Sequence, residues 1–423
     1  MIITPQIRIQ LKQNIIMKKV YCTVLSLMFP FLAFAEADEK KSKSDTLTTV
    51  AEVKEDEESK GTFAFSGYLD SYYMANFNKP ASRSNMGAAG TARVFDRKSG
   101  QFSLGLVQAK VIYTNAKSEA VVDLTFGPNA DYGNYGNLLS PLDPTKTGTA
   151  LAIKQAYFTY KFTDKFSMTA GQFGTHIGYE VIDAPANFNY SLSNLFNNGP
   201  FYHAGLKATY AFSDRASLMV GVVNNVDGLG DNNRKKGLIG QFFFSPVKGW
   251  NVYLNAINSN EANMDETTKK QPDAFYRVFD LTTSYQITEK FLLGVNAATG
   301  AQKGDYQGYG GPTTSQTWGG VAVYANTAIT DNFGIGARYE YFNNDNGVRG
   351  VLTAAKLGTS VNSVTLTGNI SLADGHILLK PEFRLDAYPK VSGANAQQQF
   401  EDSDGDFTKN SQTTFGLAFI YKF

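Results

Sequence analysis

The sequence predicts an all-β protein, a transmembrane antiparallel up-and-down β-barrel of about sixteen strands. Three observations carry this. From Thr62 onward, runs of roughly ten to fourteen residues alternate apolar and polar side chains with the two-residue period of a strand. The connections between runs alternate between short polar turns and long polar stretches, the arrangement of a barrel with periplasmic turns and extracellular loops. The third observation is a charged face: Lys380, Glu382, Arg384 and Asp386 alternate with Ile377, Leu379, Phe383 and Leu385. No dry core holds such a ladder of charges, so the polar face looks into a wet lumen and the apolar face into lipid.

Two segments precede the strands. Residues 1–35 read as a secretory signal: Lys18 and Lys19 follow Met17, an apolar run of about a dozen residues comes next, and Ala33, Phe34 and Ala35 form a small-x-small cleavage site. The run is too short to span a bilayer as a helix, and Pro30 interrupts it. Residues 36–60 carry many charges and no aromatic side chain, and read as a disordered charged lead. Residues 61–423 are assigned to the barrel.

Composition excludes several classes of function. The net charge of +1, less the four basic residues of the signal (Arg8, Lys12, Lys18, Lys19), leaves −3 for the mature chain, so no basic nucleic-acid footprint exists. The single cysteine, Cys22, lies inside the signal. The mature chain therefore has no thiol for a disulfide, a cysteine zinc site or a cysteine nucleophile. No later stretch approaches the length of a membrane helix, so the mature chain either is soluble or crosses a membrane as strands.

The strands are expected near 62–77, 101–114, 118–127, 151–162, 166–177, 201–212, 215–226, 237–245, 250–258, 274–287, 291–300, 316–329, 333–343, 361–372, 376–388 and 411–423. Short turns such as "FTDKF", "FSDRA", "ITEKF" and "ITDNF" join alternate pairs, because Asp, Asn and Ser accept turn dihedrals. Aromatic residues beside these turns (Tyr113, Phe162, Phe166, Phe212, Phe244, Trp250, Phe291, Phe333) mark a periplasmic girdle. Alternation assigns further polar residues to the lumen: Asp70 against Leu69 and Tyr73, Asp123 and Glu119 against Val122 and Leu124, His203 and Lys207 against Leu206 and Tyr210, Arg338 and Glu340 against Tyr339 and Tyr341. Runs 166–177 and 316–329 alternate poorly and give no face. In the last run, "FGLAFIYKF", Phe415, Leu417, Phe419, Tyr421 and Phe423 are expected to face lipid and the even positions the lumen, with the run pairing to the first strand.

These residues resemble a known family, the OmpL-like outer-membrane β-barrel porins common in the Bacteroidetes. The resemblance is carried by "FSGYLDSYYMANFNKP", "RVFDRKSGQFSLGLVQ", "LTFGPNADYGN", "IKQAYFTYK" and above all "GQFGTHIGYEVIDAPANFNYSLSNLFNNGPFYHAGLKATYAFSD". It implies a barrel in the bacterial outer membrane that acts as a diffusion pore, with a terminal aromatic read by the barrel-assembly machinery. It implies no catalytic residue.

Function is then expected in the lumen, as passive diffusion of small hydrophilic solutes or ions through a water-filled channel, with no cofactor and no metal. The connection 178–200 is the expected constriction, because it is more apolar than an exposed loop and sits where general porins fold a loop inward. Its acids Glu180 and Asp183 are expected to face Lys380, Arg384 or Arg338 across the pore, with Glu340, Glu382, Asp386, Asp70 and Lys207 lining it. A sugar-type porin is the alternative, with Tyr68, Tyr72, Tyr157 and Tyr253 as stacking surfaces. An outer-membrane hydrolase using His176 and His203 at the rim is the rival of another class. "EDSDGDF" from Glu401 places acids at calcium-loop spacing, yet Phe407 stands where the loop needs glycine and Thr413 where it needs glutamate. The expected partners are the outer-membrane bilayer, the assembly machinery and small solutes; a homo-oligomer is compatible with the pattern.

Overall fold

The computed structural model describes residues 61–135, 148–307, 310–393 and 396–423. The signal and the charged lead expected over 1–60 lie outside the described residues.

The strands are β1 Thr62–Asn76, β2 Phe102–Thr114, β3 Ser118–Phe126, β4 Ile153–Lys161, β5 Phe166–Gly174, β6 Tyr202–Ser213, β7 Ala216–Val223 and β8 Gly237–Phe244. The second half comprises β9 Trp250–Ser259, β10 Phe275–Gln286, β11 Phe291–Lys303, β12 Gln316–Ala328, β13 Phe333–Asn343, β14 Ser360–Leu372, β15 Ile377–Ala387 and β16 Ser411–Lys422. Each pairs antiparallel with its neighbours in sequence, and β1 pairs with β16, giving one closed barrel. Closure leaves no unpaired edge, which hydrocarbon does not tolerate. Two short helices stand in the long connections, α1 Pro128–Gly133 and α2 Asn194–Asn198.

Alternation sorts the faces as lipid demands. Along β14, Val364 and Leu366 are exposed to the outside while Ser363, Thr365 and Thr367 are buried inside. Along β16 the odd positions Phe415, Phe419 and Tyr421 are exposed. The lumen face of this strand is less polar than expected: Ala418 and Ile420 are buried there in a cluster with Tyr68, Tyr72 and Leu106.

Three strands end differently from the sequence pattern. β5 stops at Gly174 rather than 177, because Thr175 to Gly178 turns inward and Gly178 N donates to Asp280 (3.1 Å). β7 stops at Val223, where the Asn224–Asp227 segment folds back, with Asp227 accepting from Tyr202 N (3.0 Å). β11 extends to Lys303, since its ladder with β12 continues to Gln302↔Gln316.

The two runs without a legible face have physical causes. In β5, Gly171 has φ +126 and a Cα hydrogen facing the Ala156 carbonyl, so a side chain fits neither the dihedral nor the space. Past it, adjacent Gln172 and Phe173 are both buried. In β12 the inward face is Trp318, Gly320, Ala322, Tyr324 and Asn326, apolar up to Tyr324 because a loop rather than water covers it.

Candidate functional site

The charged ladder lies on β13 and β15. Arg338, Glu340, Lys380, Glu382, Arg384 and Asp386 all face inward and are all at most 2% exposed. Strand alternation puts them on one wall; what removes them from water is the connection 178–200.

That connection supplies backbone groups to five of these six charges, and Asp386 is instead held by Ser363, Arg384 and Arg93. Glu340 accepts from Asn194 N (2.8 Å) and Leu195 N (2.7 Å), at the start of α2. Glu382 accepts from Tyr190 N (2.6 Å) and Ser191 N (3.1 Å). Arg384 donates to Leu192 O (2.7 Å), Arg338 to Ser191 O (2.8 Å), and Lys380 to Ala184 O (2.9 Å) and Asn187 O. Charges thus satisfy an irregular backbone that has no ladder of its own. The same stretch places Tyr190 and Leu195 in apolar contact with the wall, and Tyr179 stacks on Tyr324 with centroids 4.3 Å apart.

Asp70 on β1 joins this network. Its carboxylate accepts from Tyr190 Oη (2.7 Å) and from Leu106 N (2.5 Å), and fills an irregularity in the β1–β2 register at Gly105, where any side chain would run into it. Tyr190 therefore bridges Asp70 to Glu382, which explains why Asp70 lies near the ladder.

The two loop acids are not poised across open space. Glu180 forms a direct ion pair with Arg338. Asp183, expected opposite Lys380, Arg384 or Arg338, instead pairs with Lys154 on β4 (2.5 Å) and accepts from Gln108 (3.0 Å). A register irregularity between Asp123 and Leu124 of β3 turns Lys154 inward, so it also reaches Asp123 (3.3 Å). Alternation alone puts Lys154 on the lipid side, so the sequence gives no signal for it.

Other loops also enter. Arg93, from the connection after β1, is fully buried and donates to Asp386 (2.7 Å) and Thr414 (2.9 Å) and pairs with Asp96. Arg349, from the connection after β13, donates to Asn198 O (2.8 Å) at the end of α2 and lies over the rings of Tyr276, Tyr306 and Trp318. Neither arginine was distinguishable from the many polar loop residues by pattern alone.

Lys207 faces the lumen from the middle of β6, with its Nζ 4.3 Å from the Phe173 ring centroid. The rings of His176 and His203 are 5.7 Å apart; His203 Nε2 shares a hydrogen bond with Thr175 Oγ1 (3.0 Å) and His176 Nε2 with Ala256 O (3.0 Å). A hydroxyl and a carbonyl, rather than a carboxylate, partner these rings. At 401–407, Asp402 accepts from the backbone of Asp404 and Asp406 (both 3.1 Å), and no group of metal-ligating side chains occurs among the described residues.

Residues 62–423 match the family described as "Putative beta-barrel porin-2, OmpL-like". The chain belongs to this porin family. Among curated proteins no sequence relative matches. The porin's fold is similar to solved outer-membrane barrels at low identity. The outer-membrane channel DcaP of Acinetobacter baumannii is 11% identical, with a TM-score of 0.55 over 86% of this chain and 97% of that one. An anion-selective porin from Comamonas acidovorans is 12% identical, with a TM-score of 0.51 over 86% and 100%. The trimer form of OmpT, an outer-membrane protein of Vibrio cholerae, is 13% identical, with a TM-score of 0.50 over 86% and 99%. At these identities the likeness concerns the fold. Family and fold together make this an outer-membrane β-barrel porin.

Proposed function

We propose that this porin forms a channel for passive diffusion of small hydrophilic solutes or ions, with the lumen narrowed by the connection 178–200. The observation that supports this most directly is that the buried charges of β13 and β15 are hydrogen-bonded to the backbone of residues 184–195, which holds a loop against one wall of the lumen. Glu180, Asp183, Arg338, Glu340, Lys380, Glu382, Arg384, Asp386 and Asp70 then act as anchors that fix the constriction, and Lys207 remains on the open wall. The chain reaches the outer membrane after cleavage of a signal near Ala35 and is folded there by the assembly machinery. The test is current across a planar bilayer holding the purified barrel. Stepwise ohmic conductance is expected; its absence overturns the channel reading.

A sugar-type porin is favoured by one feature. Phe243 on β8 and Tyr253 on β9 stack inside the lumen with centroids 4.9 Å apart, and half-buried Tyr157 stands on β4. Such faces suit sugar rings. A saturable current, blocked by added oligosaccharide, supports this reading, and a strictly linear concentration dependence removes it.

A further inference from the structure

We infer that this porin selects small anions, and that Lys207 is the residue that sets the selectivity inside the lumen. The inference rests on the channel reading above and asks which charges a passing ion meets.

Charges on the β13 and β15 wall are covered by the loop and held in place by ion pairs or hydrogen bonds. Arg338 is paired with Glu180 and Arg384 with Asp386, while Glu340 and Glu382 are spent on loop amides. A buried pair of opposite charges contributes little field to the water beside it. Selectivity therefore falls to lumen-facing charges that keep some exposure.

Among the described strand residues, these are Lys110, Lys154, Lys161, Lys207, Lys422 and a lone acid, Glu119. Their faces follow from the register: Lys110 stands opposite Asp123, Lys161 opposite Ser167, Lys207 opposite Thr169 and Lys422 opposite Tyr68, all partners buried on the inside. Lys154 is committed to Asp183 and Asp123. Glu119 lies within electrostatic reach of both Lys110 and Lys161, so its charge is more than offset locally. On the β2–β6 side, Lys110, Lys154, Lys161 and Lys207 thus stand against Glu119, Asp123 and Asp183, an excess of one positive charge, and a low-dielectric wall concentrates its potential along the axis.

Lys207 is placed to act on it. It lies midway along β6, and no carboxylate lies within ion-pair distance of its Nζ among the described residues. Its flanks are Thr169 and Gly221 in register, and the nearby His203 is engaged with Thr175. An ammonium that is half-buried, without an anionic partner and seated over an aromatic ring is a site for a transient anion: strong enough to attract, with few contacts to retain.

The experiment is the reversal potential of the reconstituted porin in a KCl gradient, with the wild type, Lys207→Gln, Lys207→Arg and Lys303→Gln. Lys303 pairs with Asp273 at the outer end of β11 and serves as the control. The wild type is expected on the chloride side. Lys207→Gln is expected to shift toward potassium, and Lys207→Arg and Lys303→Gln to stay with the wild type. Heat-modifiability on a gel confirms that each variant is folded, and Lys207→Arg separates charge from packing. A conducting wild type that prefers potassium, or a Lys207→Gln variant with unchanged reversal potential, overturns the inference and leaves the channel reading intact. No conductance from any variant overturns the channel reading itself.

Discussion

Arg338 and Glu180 illustrate what a single contact does in this lumen. The guanidinium is fully buried, pairs with Glu180 and donates to Ser191 O. Arg338→Gln leaves Glu180 buried without a counter-charge, and breaking a buried pair in this way costs about 3–5 kcal/mol. The expected result is a lower denaturant midpoint for the refolded barrel together with noisier single-channel current; an unchanged midpoint contradicts the anchoring role. Two carboxyls outside the membrane-spanning strands give a pH dependence. Burial raises Asp227 to about 6, against the opposing pull of the Phe201 and Tyr202 amides, Arg349 and Tyr135. Burial likewise raises Glu261 to about 7, against Ser259, Gln307 and the Val226 amide, with Asp227 adding to the rise. The folded loops hold these protons more tightly than the unfolded loops, so their packing is strongest below the ordinary carboxylate range and is lost as pH rises through about 6 and 7. Hydrogen exchange at residues 201, 202 and 226, corrected for intrinsic rates, should therefore reveal more frequent opening at alkaline than at acidic pH. Asp227→Asn with Glu261→Gln should flatten that trend, and a slope of the opposite sign refutes it. Neither acid was legible in the sequence, because burial of a loop side chain is a tertiary fact.

The connection 178–200 is where element-scale reasoning met its limit. Its apolar content announced that it covers something, and its acids announced ion pairs, but alternation fixes only the face of a strand residue and not its depth or partner. Hence Arg338 was named as a partner of Glu180, whereas Lys154, turned inward by a register irregularity, was not named for Asp183. The same loop explains the illegible β12: Tyr324 and Trp318 face inward yet are apolar because Tyr179 and Leu195 lie against that wall. Replacing residues 181–193 with a short Gly-Ser linker is expected to leave a folded barrel, since no strand is interrupted, and to raise single-channel conductance. Conductance equal to the wild type dismisses the loop as the constriction. In β5, Gly171→Ala meets both a positive φ and the Ala156 carbonyl, a strain of about 1–3 kcal/mol. A midpoint lowered by that amount in denaturant titration is the expected outcome.

At the scale of the whole molecule, strand number, order and the lipid-facing side were legible, because hydrocarbon imposes the same rule on every strand: satisfy the backbone and point apolar groups outward. The closing seam obeys it most strictly. β1 and β16 pair from Tyr68↔Lys422 to Asn76↔Thr414, and Gly67 and Phe423 exchange reciprocal backbone bonds of 3.1 and 3.0 Å below that. Removing Tyr421–Phe423 abolishes those reciprocal bonds and the pairs of Tyr68 and Leu69, leaving backbone groups of β1 facing lipid at several kcal/mol each. The truncated chain is expected to lose its heat-resistant folded band both in cells and when refolded in detergent. Phe423→Ala is the discriminating companion, because it keeps every backbone bond and deletes only the ring. If closure is the whole role of this end, Phe423→Ala assembles like the wild type in both settings. If the ring is also read during assembly, that variant folds normally in detergent but reaches the outer membrane poorly. A truncated chain that still closes in detergent sinks the claim that the β1–β16 seam holds the barrel shut.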